Sequence, residues 1–199
     1  VGFLSAKGGC GATTVACHVA RLLEQETHQP TLLGDFDLCS GMIRFLMQAS
    51  SRYSVLDAFA NVQRLDHSYW HALVSNGKGH LDVIAGPETP PLKEVPGLQQ
   101  IRHVVRFMRT EYEWTVLDLG RGLSPCSYAA IEEVDDLFIL TTPDIPALHQ
   151  VKALTDQLFS HGLSQSTLHL VLNRMNRRLE VTAAELEKLL GLPFYSILS

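Results

Sequence analysis

No apolar run in the 199 residues approaches the roughly 20 that a bilayer-spanning helix needs. The start of the chain lacks the basic, then apolar, then small-residue order of a secretory signal, so a cytoplasmic setting is the working assumption. A basic excess is also missing: 16 Lys and Arg face 21 Asp and Glu, a net charge of −5, which argues against a general nucleic-acid binder. The four cysteines, Cys10, Cys17, Cys39 and Cys126, stand far apart with no CxxC pair. They read as reduced, mostly buried thiols rather than a disulfide frame or a zinc site. Repeats, low-complexity tracts and a linker that would split the chain are absent too, which favours one domain.

Short apolar runs alternate with longer amphipathic stretches. Strands are expected at Val1–Ser5, Thr31–Asp35, Leu81–Ala85, Trp114–Leu119, Asp136–Thr141, Leu168–Asn173 and Phe194–Leu198. The longer helices are expected at Thr13–Gln25, Leu98–Arg109, Pro125–Glu132, Ala147–Ser160 and Thr182–Leu190. Met42–Met47, Val55–Ala60 and Tyr69–Val74 read as short helical pieces. Strands alternating with helices imply βαβ units, hence a mainly parallel sheet in a three-layer α/β/α sandwich.

The most informative segment is Ser5-Ala6-Lys7-Gly8-Gly9-Cys10-Gly11-Ala12-Thr13-Thr14, which follows the first strand and opens a helix. Glycines let the backbone curl so that several N–H groups point inward, and the helix N-terminus adds partial positive charge. The Thr13 hydroxyl stands where such loops ligate magnesium, with Thr14 near the α-phosphate. The general pattern G-x-x-x-x-G-K-[ST] is not met, because Ala6 and Ala12 replace its first glycine and its lysine. Two further strands end in acids. Asp35-Phe36-Asp37 closes the second, and Val116-Leu117-Asp118 runs into the fourth strand's carboxylate, the Walker B arrangement. Both ends lie at the edge where α/β folds collect ligands. Taken alone, Asp35 and Asp37 could instead cap the next helix, the less favoured reading. Gly120 and Gly122 suit a loop that responds to a γ-phosphate. Asn173 ends the sixth strand with an amide able to donate and accept. Arg174, Arg177 and Arg178 either line the nucleotide edge or form a solvated basic turn.

The Lys7-Gly8-Gly9-Cys10-Gly11-Ala12-Thr13 segment resembles the deviant Walker A motif of the ParA/MinD superfamily of dimerising ATPases. The resemblance implies a P-loop NTPase fold, ATP and Mg²⁺ as ligands, and a nucleotide-dependent homodimer. It gives Lys7 a role at the partner subunit's nucleotide and Gly8, Gly9, Cys10, Gly11, Ala12, Thr13 and Thr14 the phosphates. It also assigns Asp35 and Asp118 to magnesium through water, beside Thr13, gives Asp37 the attacking water, and puts Asn173 with Arg174 at the adenine. The runs Val116–Ser124 and Thr141–Leu148, with Asn173-Arg174, look like the CpaE/TadZ branch, which positions Flp/Tad pilus assembly. That branch often lacks the second P-loop lysine, as here with Ala12. It usually carries an upstream receiver-like domain, so the chain reads as an ATPase core without that domain or a C-terminal tail. Pilus or secretion proteins are then the implied partners, with polar or membrane-peripheral placement through them, no specific nucleic acid, and slow or dimer-dependent hydrolysis.

Several rivals are weaker. A bridging iron–sulfur cluster needs two cysteines per subunit, and Cys126 has no second in the Ala85–Gly97 region. A DNA-partitioning ATPase needs a basic face. Arg102, Arg106 and Arg109 share one helix side, but a solvated face explains that spacing as well. A nucleotide-binding scaffold without turnover is what loss of the lysine at position 12 would produce. His67 and His71 lack a third metal ligand at suitable spacing, and Tyr69 and Trp70 read as packing anchors.

Overall fold

Adjacent apolar residues on each strand part company, and this alternation builds the molecule. Phe3, Leu33, Val83, Val116, Leu140 and Val171 join one core cluster, while their neighbours Leu4, Leu32, Ile84, Leu117, Ile139 and Leu170 join another. A sheet buried on both faces follows from the two-residue period. The computed structural model describes residues 1–76, 79–91, 96–175 and 181–198.

The strands are β1 (Gly2–Ser5), β2 (Thr31–Asp35), β3 (Ser75–Asn76), β4 (Leu81–Ile84), β5 (Trp114–Arg121), β6 (Leu137–Thr141), β7 (Leu168–Leu172) and β8 (Phe194–Ile197). They form one sheet in the order β3-β4-β2-β5-β1-β6-β7-β8. Every pairing is parallel except β3 with β4. The α-helices are α1 (Ala12–Thr27), α2 (Ile43–Leu46), α3 (Val55–Ala60), α4 (His67–Leu73), α5 (Leu98–Glu111), α6 (Pro125–Ile131), α7 (Ile145–Ser160) and α8 (Ala183–Leu190). Helix α1 covers one face with Ala12, Ala16, Cys17 and Ala20, small residues that let it lie close to the strands. The other face is covered by α3 to α8, through residues such as Phe59, Trp70, Val105, Ala130, Val151 and Leu186. The architecture is the expected three-layer α/β sandwich of P-loop NTPase type.

Most boundaries shift by a residue or two from expectation, and three of the differences have a visible local cause. The two-residue β3 has too little pattern to be read in a sequence, and exists because Ser75 and Asn76 pair with Val83 and Asp82. Helix α4 begins at His67, because Asp66 caps it by accepting from the Tyr69 N–H at 2.8 Å. Strand β5 continues past Leu119 to Arg121, with Ser5 opposite Arg121 and the Gly122 N–H bonded to the Ser5 carbonyl at 3.1 Å. Gly120 and Arg121 therefore belong to the strand end rather than to a free loop. Trp70 is fully buried and donates to the Tyr112 hydroxyl at 2.9 Å, which in turn donates to Asp82 at 2.7 Å. That chain makes Trp70 a packing anchor with its one polar atom satisfied.

Candidate functional site

The glycine-rich turn closes over the C-terminal edge of the sheet and opens α1. Gly11 caps that helix with φ +96°, no side chain caps its first turn, and no acid stands there. Its leading N–H groups are thus available to an anion. Gly11 also has no room for a side chain. A Cβ there would lie 2.6 Å from Asn173 Nδ2. Asn173 donates that amide to the Cys10 carbonyl at 2.8 Å, while its own oxygen accepts from the Arg174 N–H at 2.9 Å. Asn173 is thereby a clamp between the end of β7 and the glycine turn. Arg174 follows with φ +59°, a left-handed backbone that arginine seldom adopts. Lys7, Gly8, Gly9, Thr142, Asp144 and Arg174 line an open cleft of about 350 Å³ beside the turn. Another cleft, about 300 Å³, lies at the starts of β1, β5 and β6, away from the turn.

Register brings the acids together. Asp35 at the end of β2 lies opposite Asp118 on β5, and both are fully buried. Asp35 accepts from the Asp37 N–H at 3.1 Å and the Ile43 N–H at 3.2 Å, so it fixes the turn into α2. Burial, and then the negative charge of Asp118, push its carboxyl up to about 7. Burial also raises Asp118, against the pull of the Thr13 hydroxyl and the Gly120 N–H. Asp118 Oδ1 accepts from the Gly120 N–H at 3.2 Å, whereas Oδ2 is buried without a hydrogen-bond partner. Two close, buried carboxylates, one with an orphan oxygen and the Thr13 hydroxyl nearby, form a donor set suited to a hard divalent cation. Among the described residues no group of three or more His, Cys, Asp or Glu is placed to hold a metal ion by itself. The set fits magnesium, which keeps much of its water.

Asp37, half-buried, stands beside the acid pair, near enough for its charge to raise both carboxyls. Its Oδ1 accepts from the N–H groups of Cys39, at 3.1 Å, and Ser40, at 2.9 Å, and its Oδ2 accepts from the Ser40 hydroxyl at 2.8 Å. The capping role of the Asp35–Asp37 pair is therefore present in the geometry, although a carboxylate has lone pairs left for water. Gly120, with φ +73°, sits so close that a Cβ there would meet Asp37 Cγ at 2.8 Å.

Lys7 donates to Asp144 Oδ1 at 2.8 Å across 137 residues of sequence. Asp144 also accepts from Thr142 at 2.5 Å and caps α7 by accepting from the Ala147 N–H at 3.1 Å. The Lys7 and Thr142 hydrogen bonds hold its carboxyl down at about 2. Both partners of the ion pair are partly exposed, at 42% and 40%, so Lys7 can leave it at small cost. Asp144 lies in the Thr141–Leu148 run of the resemblance but is given no role by the sequence, where its local signal is an acid before Ile145-Pro146 at a helix start. Arg121, in the Val116–Ser124 run, is likewise given no role by the sequence, and the longer β5 carries it to the rim of the turn.

The competing sites do not assemble. The thiols of Cys17 and Cys126 are pushed up to about 12, chiefly by burial, and are poor cluster ligands. On α5, Arg102 bonds Glu132 at 2.9 Å, Arg106 bonds Glu133 at 2.8 and 2.7 Å, and Arg109 bonds Asp135 at 2.9 Å. The apparent basic face is neutralised inside the chain rather than merely solvated. His67 is held by Glu111 at 2.6 Å. Arg177 and Arg178 lie outside the described residues. No described helix is long and apolar enough to cross a membrane.

No family model matches the chain. A putative septum site-determining protein MinD of Guillardia theta is 22% identical over 201 residues, 98% of this chain and 72% of that protein. A ParA-family ATPase of Chlorobium tepidum superimposes with a TM-score of 0.90 at 25% identity, covering 98% of this chain and 82% of that one. The MinD of Pyrococcus horikoshii, solved with Mg-ADP, superimposes at 0.76 with 17% identity over 99% of this chain and 81% of that one, a likeness of fold. The chain is thus similar to MinD and ParA-family ATPases over nearly its whole length.

Proposed function

We propose that this chain is an ATP-binding, nucleotide-dependent dimerising ATPase switch of the CpaE/TadZ kind, positioning Flp/Tad-type pilus or secretion machinery. One observation carries the nucleotide part. An uncapped helix start behind a glycine turn faces a buried acid pair with an orphan oxygen. Phosphates would take the N–H groups of Gly8, Gly9, Cys10, Gly11, Ala12, Thr13 and Thr14. Thr13, Asp35 and Asp118 are the residues that would hold magnesium, the two acids through water. When bound, the ion would offset phosphate charge.

In this reading Asp37 orients the attacking water with its spare lone pairs. Lys7 gives up Asp144 for the phosphates of a second copy's nucleotide. Asn173 and Arg174 serve the adenine, with Asn173 exchanging the Cys10 carbonyl for the base edge. Ala12 supplies no charge where ordinary P-loops have lysine, so turnover is slow and leans on the dimer. The self-neutralised arginines of α5 favour a protein partner over DNA. Such partners would give the chain an indirect route to a membrane. Ala12 also favours a second reading, a scaffold that binds ATP without hydrolysing it. Phosphate release, with Asp37→Ala as control, separates the two readings.

Sedimentation with and without Mg-ATP tests the switch. The expected result is a monomer that becomes a dimer with Mg-ATP, while Lys7→Ala remains monomeric and slows single-turnover hydrolysis. A wild-type chain whose sedimentation ignores nucleotide would remove the switch.

A further inference from the structure

Position 12 leaves a charge missing beside the phosphates. Ala12 is buried in the α1 cluster and offers only a methyl group. Lys7 is engaged with Asp144. We propose that Arg121 supplies the missing cation in cis, contacting the γ-phosphate end of the bound nucleotide from the end of β5. This rests on the nucleotide-binding reading above and concerns the same site.

Three observations converge on Arg121. First, its guanidinium lies against the glycine turn: a Cβ built on Gly8 would sit 3.6 Å from Arg121 Nη1. Second, its backbone is locked between the parts of the site. Arg121 pairs with Ser5, just before the turn, and the preceding Gly120 abuts Asp37. The side chain thus starts between the phosphate turn and the carboxylate assigned to the attacking water, where a γ-phosphate would lie. Third, its charge is unspent. Arg102, Arg106 and Arg109 are all ion-paired. Among the described residues, no ion pair or side-chain hydrogen bond engages Arg121, which is exposed. Arg174 is also without an ion pair among the described residues, but it follows Asn173 on the far side of the turn and lines the cleft with Lys7.

The chemistry calls for such a cation. The water oxygen forms a bond to the γ-phosphorus as the bond to the β–γ bridging oxygen breaks. The electron pair stays on that oxygen, giving ADP, and the water's surplus proton leaves to solvent with inorganic phosphate as the other product. Negative charge spreads over the equatorial and leaving oxygens during the step. A planar guanidinium with several donors is suited to hold it.

The test is equilibrium binding of ATP and of ADP, each with Mg²⁺, by calorimetry on the full chain, in wild type, Arg121→Ala and Arg106→Ala. Binding is read directly, so a slow enzyme is tested as well as a fast one. Arg121→Ala is expected to weaken ATP by about 10- to 100-fold, the scale of a charge-assisted hydrogen bond, and ADP by less than about threefold. Arg106→Ala, already paired with Glu133, should change neither. If Arg121→Ala leaves the ATP/ADP preference unchanged, whether both affinities fall together or neither moves, the assignment of Arg121 is overturned and the nucleotide site survives. A wild type that binds both nucleotides equally has the same consequence. If wild type binds neither nucleotide, the proposed function falls and the assignment falls with it.

Discussion

The acids and the cations of this site are built in opposite ways. Asp35 and Asp118 are fully buried on neighbouring strands, fixed by backbone N–H groups and held there although their charges oppose each other. Arg121 and Arg174 are exposed, and Lys7 is partly exposed in an ion pair that solvent already weakens. Negative charge is preorganised at a cost to the fold, whereas the positive charges stand exposed at the rim of the site. Under the proposed function this difference suits a switch, because like charges are buried together where a cation would bind and cations are exposed where a ligand would enter.

The sharpest way to break the contrast is Asp118→Asn. It should weaken Mg-dependent ATP binding by about 100-fold yet raise the melting point of the ligand-free chain, because one of two buried charges is gone. Calorimetry and thermal melts read the two arms, and a variant that lost stability as well as binding would show that the acid pair is no strained element. Gly11→Ala comes next. With φ +96° and Asn173 Nδ2 at 2.6 Å from the new Cβ, both backbone and neighbour resist it. A loss of about 1–3 kcal/mol in denaturant unfolding is expected, and ATP affinity should fall with it.

The third prediction concerns pH. The Asp35 value of about 7 lies above that of an unfolded carboxyl, so folding favours its protonated form. That contribution is complete below about pH 4 and is lost as pH rises through about 7, with a slope of at most about 1.4 kcal/mol per unit. The ligand-free chain should therefore gain stability between pH 8 and about 6 from this group, and Asp35→Asn should flatten the profile. On the exposed side, effects shrink. Lys7→Ala should change stability by less than about 1 kcal/mol, since its pair with Asp144 is solvent-screened. Arg106→Ala should change stability least of all, since its pair with Glu133 holds an exposed guanidinium. A large loss in either would mean that the cations are structural after all.

The same contrast governs what could be read from the sequence. Buried strands announce themselves as apolar runs that end in an acid, so Asp35 and Asp118 were legible, as were the glycine turn and the two-faced sheet. The alternation of Leu32 with Leu33 and of Val116 with Leu117 needs no tertiary information. Surface partners are different. Nothing local links Lys7 to Asp144 or Asn173 to the Cys10 carbonyl, since chain crossings more than 130 residues apart make those contacts. Arg121 was hidden for another reason. Gly120 and Gly122 read as a loop, while the sheet extends through Gly120 to Arg121 by pairing with Ser5. The arginine row on α5 was legible as a pattern but not in meaning, because its acids come from the segment after α6.

The most direct measurement of the central claim is an ATP titration of the wild-type chain with and without Mg²⁺. The account predicts tight binding with the ion and a loss of about 100-fold without it, as the buried acid pair is left facing phosphate unscreened. Binding that ignores magnesium, or no binding at all, would contradict it.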